Sequence, residues 1–374
     1  MTGGDRLYHH DVLFPAIRHE VSFWHGNHRL DGDLVLPPGA GPHPVLLVVA
    51  DPSLPDRDYS PWLDGLAGHG IASFTWDRGT SVDGAGDPRR RTVDHAREVL
   101  SAMDRLRSAP EVDATAIGLA GWGEGGWAAA QAVTFSDRAR LLVLAGTPTT
   151  EPFDLVEHRI LGHLRAAGYA GYAGGGGDDG DAADGARDAV RCWIEGRAEG
   201  LSPAELDAGL ARWRAEPWFG ELGVAVEETA AAKTLTMDPL PTLSAVSVPL
   251  LALFGEQDPL LPLARSVRSL GEALHVAGNT DHRIAVVRDA DRALRVRPGH
   301  GLGRMVDGLH QFGEWPSGLT DVIAEWLVAR LCEPGDVPAF APPADALLVR
   351  PRLRVGPVST GHAPVRQVRR RISR

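Results

Sequence analysis

The apolar residues of this chain fall into short unbroken runs of strand length, separated by longer stretches that repeat every three to four residues. PVLLVVA at 44–50, IASFTW at 71–76, AIGLAG at 116–121, LLVLAG at 141–146, VPLLALFG at 248–255 and RIAVV at 283–287 are the short runs. Continuous apolar runs of this length belong to strands buried on both faces. Between them the pattern predicts a helix around Trp62 to Gly68, an amphipathic helix from Thr92 to Arg107, and an alanine-rich helix containing WAAAQAV. It predicts two more from about Leu263 and over LTDVIAEWLVARL at 319–331. Such alternation predicts parallel βαβ units. Ahead of them, VSFWHGNHRLDGDLVLPP holds two β-rich runs around a polar turn, the pattern of an antiparallel hairpin.

After Thr147 the alternation stops. The stretch from about 150 to 245 combines helical patterns, a glycine and aspartate run, GYAGGGGDDGDAADGA, and a tryptophan-rich segment, RWRAEPWFGEL. The low-complexity run predicts a loop, because glycine maximises backbone entropy and the acidic residues repel. Four segments follow: a first half of an α/β core over 1–149, an inserted helical lid over 150–245, a second half of the core over 246–332, and a basic tail over 333–374. A helical lid between two halves of one parallel sheet covers a pocket at the strands' C-terminal ends.

Composition narrows the class. Of 374 residues, 43% are hydrophobic and 23% charged, as in soluble globular chains, and no apolar run reaches the roughly 18 residues of a membrane span. The first twenty residues lack a basic stretch followed by an apolar segment, and Cys192 and Cys332 are isolated, so the expected location is the cytoplasm. A net charge of −11 argues against nucleic acid as a partner. From Arg350 the tail carries no acidic residue, which suits an arm for an anion or a partner, or a solvated strap over an acidic body. Lys233 is the only lysine, a bias of composition that gives it no Schiff-base role. No glycine loop for a nucleotide and no metal-ligand spacing is present, so no cofactor is expected.

The segment Gly121-Trp122-Gly123-Glu124-Gly125 lies at a strand-to-helix turn and fits the nucleophile elbow G-x-S-x-G everywhere except its centre, where Gly123 stands for serine. PDRD at 55–58, WDRG at 76–79, PWF at 217–219 and FGEQDPLLP at 254–262 follow in the expected order. In these motifs, over roughly residues 20 to 331, the chain resembles the α/β-hydrolase superfamily, and within it the bacterial esterase and S33-peptidase-like lineage. The resemblance implies an α/β-hydrolase fold: a mostly parallel sheet flanked by helices, with the inserted lid. It also implies which working parts are altered. Asp258 in GEQD matches the family's acid, but RDADRAL places Arg292 at the histidine position, and arginine cannot accept a proton from a nucleophile. The oxyanion loop reads ADPSL, with Asp51 and Pro52 in place of a glycine and a small donor residue. Proline offers no N–H, and a carboxylate opposes a developing oxyanion. His300 and His310, before the last helix, are alternative bases or surface residues.

These residues leave several readings open. Arg292 beside Asp258 makes an oriented cation for a carbonyl, enolate or phenolate oxygen, or else a structural ion pair. Gly123 opens space where serine would stand, and Glu124 acts as acid or base if desolvated, or caps its helix. Trp76 and Trp122 at strand ends, with Trp193, Trp213 and Trp218 in the lid, suit a large aromatic or polyunsaturated small molecule, although the family similarity at PWF makes Trp218 lid packing. The leading expectation is a non-hydrolytic enzyme of specialised-metabolite biosynthesis that catalyses cyclisation, carbon–carbon bond formation or isomerisation. A ligand-binding protein without catalysis and a hydrolase using a held water are the alternatives. Any oligomer is expected to be a homodimer.

Overall fold

The computed structural model describes residues 16–51, 63–77, 88–169, 180–228, 235–296, 315–316 and 318–332. The predicted helix around Trp62 therefore falls partly outside the described residues. The run expected to be a loop lies outside them over 171–179, but its last seven residues, 180–186, are helical instead; Pro52, PDRD at 55–58, Lys233, His300, His310 and the basic tail from 333 lie wholly outside.

Eight strands form one sheet: β1 (Ile17–His25), β2 (His28–Leu36), β3 (His43–Val49), β4 (Ala72–Trp76), β5 (Val112–Trp122), β6 (Leu141–Ala145), β7 (Leu250–Gly255) and β8 (His282–Val287). Their order is β1-β2-β4-β3-β5-β6-β7-β8. The predicted hairpin is β1 against β2, antiparallel, with His25 opposite His28. β2 is antiparallel to β4, and every later pairing is parallel.

Alternation along the central strands sends side chains into two cores. On β3, Val45, Leu47 and Val49 join one cluster and Leu46 and Val48 the other. Helices α1 (Leu63–Ala67) and α10 (Leu319–Leu331) cover the face of Leu46. The face of Leu47 is covered by α2 (Pro88–Leu106), α3 (Gly125–Phe135), α8 (Leu240–Leu243) and α9 (Leu263–Val276). The helix expected from Thr92 begins four residues earlier, at Pro88, because proline is well suited to a first turn whose N–H groups lack intrahelical partners.

Between β6 and β7 the chain forms α4 (Pro152–Ala166), α5 (Gly180–Ala198), α6 (Pro203–Leu210) and α7 (Phe219–Glu228). These helices hold a core of their own. Val156, Ile160 and Leu164 of α4 pack with Val190 and Ile194 of α5 and with Trp218, which is fully buried. α6 starts on a complete capping box, Ser202 and Glu205 each satisfying the other's backbone N–H.

Candidate active site

β5 ends at Trp122, and the chain turns at Gly123 with φ +52 before entering α3 at Gly125. A left-handed turn of this kind lifts the central residue above the sheet, and glycine adopts it without strain. The turn is fixed by Gly123 N–H donating to the Ala145 carbonyl (2.8 Å) and Gly126 N–H donating to the Gly123 carbonyl (3.2 Å).

The space expected above Gly123 is filled. A Cβ built at 123 would overlap Asp51 Oδ2 and lie 2.7 Å from Arg292 Nη2. Asp51, buried two residues beyond the end of β3, turns its carboxylate into the place of the elbow side chain. There Oδ2 accepts the Glu124 backbone N–H at 3.1 Å and an Arg292 Nη2 hydrogen at 2.5 Å. The N–H of the residue after the nucleophile is the usual oxyanion-hole donor. In this chain it is held by a carboxylate.

Arg292 reaches the site from the loop after β8. That loop is shaped by Asp291, whose Oδ1 accepts the backbone N–H of Ala293 (2.9 Å) and of Arg295 (3.0 Å). Gly146, at φ +55 beyond β6, lets the loop approach, since a Cβ there would lie 2.5 Å from the Arg292 carbonyl oxygen. Burial works against the Arg292 charge. Asp51, Asp258 and Glu124 outweigh it and hold the pKa above the ordinary arginine value. The expected pairing of Arg292 with Asp258 is thus corrected. Asp51 is the hydrogen-bonded partner, with the salt bridge at 2.5 Å, and Asp258 acts on Arg292 through its charge.

Asp258 follows β7 and is buried. Its Oδ1 accepts the Leu260 backbone N–H at 2.8 Å, while Oδ2 has no hydrogen-bond partner among the described residues. Burial raises its pKa from 3.8 to about 6, against the opposing pull of Arg292 and the Leu260 amide.

Glu124 stands at the N-cap of α3 but makes no side-chain cap. Its Oε1 instead faces both terminal nitrogens of Arg159 at 3.5 Å. Arg159 is the residue that sequence reasoning missed. Its side chain is 8% exposed against 34% for Glu124. Burial lowers its pKa and Glu124 opposes that shift. The signal was present: Arg159 falls on the apolar stripe of α4, with Leu155, Val156 and Ile160, where a charge needs a buried partner.

The tryptophans are placed differently from the aromatic wall drawn from the sequence. Trp76 packs with Phe23 and stacks on Phe74 at 5.7 Å, and its Nε1 donates to Glu98 at 2.6 Å. Trp122 is buried edge-on to Trp315 on the α10 face of the sheet. Trp193, Trp213 and Trp218 belong to the core that α4, α5 and α7 share. Large flat side chains contribute most where they are wholly enclosed, which explains why these five pack within cores.

Three comparisons with known proteins bear on the fold. No family model matches the sequence, and no curated protein does. Among solved structures, DcsB in complex with its substrate analogue superposes with a TM-score of 0.50 at 14% identity, covering 84% of this chain and all of that one. The chain has the α/β-hydrolase fold. Other α/β-hydrolases align over similar spans. The 2,6-dihydroxy-pseudo-oxynicotine hydrolase has a TM-score of 0.48 and 16% identity, over 85% of this chain and 68% of its own. The proline iminopeptidase of Mycobacterium smegmatis has 0.49 and 16%, over 83% and 98%. At these identities the likeness concerns the fold, and chemistry has to be argued from the site. No helix among the described residues is long and apolar enough to cross a membrane, and no three of their His, Cys, Asp or Glu side chains form a metal-binding group.

Proposed function

We propose that this α/β-hydrolase-fold chain is a non-hydrolytic enzyme that moves a proton within a small molecule and so drives its isomerisation or ring closure. The observation that carries this reading is the Asp51 carboxylate in the place of the elbow serine, hydrogen-bonded by Arg292 and the Glu124 amide. An acyl-enzyme needs a nucleophile with a base behind it, and the described site supplies a carboxylate with a guanidinium behind it. That pair suits enolate chemistry. Asp51 takes a proton from carbon beside a carbonyl, and the carbonyl oxygen gains negative charge near the Arg292 fork. The proton that Asp51 has taken is then returned at another carbon of the conjugated enolate, or the enolate carbon adds to an acceptor in the same molecule and that proton ends on the new enolate or alkoxide. Every atom is kept, so the product is an isomer of equal mass. Glu124, the more exposed carboxylate, relays that proton from Asp51 back to the substrate, while α4 to α7 act as the lid and bring Arg159 to Glu124.

One observation favours a second reading. Asp51 and Arg292 already neutralise each other, an arrangement that a binding protein without turnover would also keep. The same experiment separates the two: metabolite profiling of a deletion strain, followed by incubation of the accumulated compound with purified protein. Conversion to an isomer of unchanged mass is the expected result, with turnover reduced about 100-fold or more in Arg292→Leu and Asp51→Asn, as for loss of an electrostatic or proton-transfer group. A gain of one water would overturn the proposal in favour of hydrolysis. A compound that binds and never changes would leave a binding protein.

A further inference from the structure

Asp258 is only 7% exposed, and one of its two carboxylate oxygens is unused. Oδ1 accepts the Leu260 backbone N–H, and Oδ2 has no hydrogen-bond partner among the described residues. A buried acceptor left in this state costs free energy, so a fold that keeps one calls for a reason. The loop itself offers no relief, because it is held from both the end of β8 and α4. The Glu256 and Gln257 N–H groups donate to the Val287 and Ala290 carbonyls at 3.0 and 2.8 Å, and Glu256 Oε2 accepts the Asp289 N–H at 3.0 Å. From α4, His158 Nε2 donates to the Pro259 carbonyl at 3.1 Å and Arg159 Nε to the Leu260 carbonyl at 3.5 Å. Asp258 is thus fixed, and a partner has to come to it.

Arg292 is the group able to do so. Of the five N–H hydrogens of its guanidinium, one is used among the described residues, from Nη2 to Asp51. Its side chain is 19% exposed, and two glycines leave it room. A Cβ at 146 would lie 3.2 Å from its Cγ, and a Cβ at 123 would lie 2.7 Å from Nη2. Asp258 and Arg292 already act on each other through charge. The guanidinium is therefore bonded to one carboxylate and drawn by a second. We propose that Asp258 is a positioning residue, which receives the Arg292 guanidinium in a second position and so releases Asp51 from it. The inference rests on the catalytic reading above, in which Asp51 is the base, since a carboxylate bound to a guanidinium binds a proton poorly. Held by Asp258, the fork keeps further N–H groups for the substrate oxygen. The charged and titratable groups around the acid are Arg292 and Asp291 from the loop after β8, Arg159 and His158 from α4, and Glu256 from its own loop. Those around the guanidinium are Asp51, Asp258, Glu124 and Arg159. Asp258 ionises at about pH 6, so it draws Arg292 above that pH and not below it.

The first test needs no substrate. In the full chain with carbon-labelled aspartate, the carboxyl signals are followed against pH by NMR, the Asp258 signal being the one lost in Asp258→Asn. In the native chain it should titrate near pH 6. In Asp51→Asn the guanidinium should pass to Asp258, which then holds its proton about tenfold or more less tightly. Adding Asp51→Asn to Arg292→Leu should change that affinity far less, which separates pairing from the mere loss of the Asp51 charge. Arg292→Gln serves if Arg292→Leu does not fold. An Asp258 titration unmoved in Asp51→Asn, or moved equally without Arg292, overturns the inference. The second test uses the compound that accumulates in the deletion strain. Asp258→Asn should lower kcat about tenfold or more at unchanged KM, and should abolish the fall in kcat as pH drops through about 6. Native kinetics in this variant overturn the inference and leave the catalytic reading intact. Absence of conversion by the native chain overturns the catalytic reading and with it the release of a base, while the NMR result still decides whether Asp258 receives Arg292.

Discussion

At the scale of single residues, Gly123 and Asp51 share one volume. Gly123→Ser alone would force a side chain into a left-handed turn and against a buried carboxylate, at a cost on the order of 2–4 kcal/mol. Paired with Asp51→Gly, the steric part of that loss should disappear, and a double-mutant cycle read by denaturant unfolding separates it from the cost of leaving Arg292 without its carboxylate. Neither variant should hydrolyse activated esters, because Arg292 occupies the base position. Appreciable esterase activity in Gly123→Ser would show that an imidazole reaches the elbow. Asp258 gives a second prediction. Its folded pKa of about 6 exceeds the ordinary 3.8, so the folded state binds a proton that the unfolded state does not between those values. Stability from this group is therefore greatest below pH 4, falls as pH rises to about 6, and is level above that. The stability difference between the native chain and Asp258→Asn, measured from pH 4 to 8, should trace that fall. A flat difference would contradict it.

Among the elements, α4 does two jobs, and they lie on different stripes. Its apolar positions build the core of the insertion, and one charged position, Arg159, reaches the elbow. Trp218 is the largest fully buried side chain of that core, and Trp218→Ala should cost about 3–5 kcal/mol. The loss should appear in α4 to α7 as faster amide exchange, while the strands of the sheet keep their protection. Equal loosening of the strands would mean that insertion and sheet unfold as one unit. The sequence made these helices legible as a break in strand-helix alternation after Thr147. Their internal arrangement was not legible, because a tryptophan at a core position and one at a pocket wall have the same periodicity. Only the contacts of Trp193, Trp213 and Trp218 distinguish the two.

For the whole molecule, the buried strands and the hairpin followed from short apolar runs and a polar turn, while the order of the strands in the sheet came only with the fold. The elbow followed from the spacing of Gly121, Gly123 and Gly125. What the sequence left hidden is the partner of each charge. Asp51 and Arg292 are 241 residues apart, and Arg159 is 35 residues from Glu124, so local pattern can mark Arg159 as a charge in need of a partner but names neither pair. Such pairings depend on loop paths and side-chain directions that only the folded chain fixes. The contact between Arg159 and Glu124 has a thermodynamic consequence. Whatever binds at the elbow and takes up Glu124 removes a tether of the helical insertion, so occupancy of the site and the position of the insertion become linked equilibria. By reciprocity, any event that shifts the insertion must alter affinity at the elbow by the same factor. The two can be read from one another: a ligand's dissociation constant reports the insertion's resting balance, even when no movement is seen.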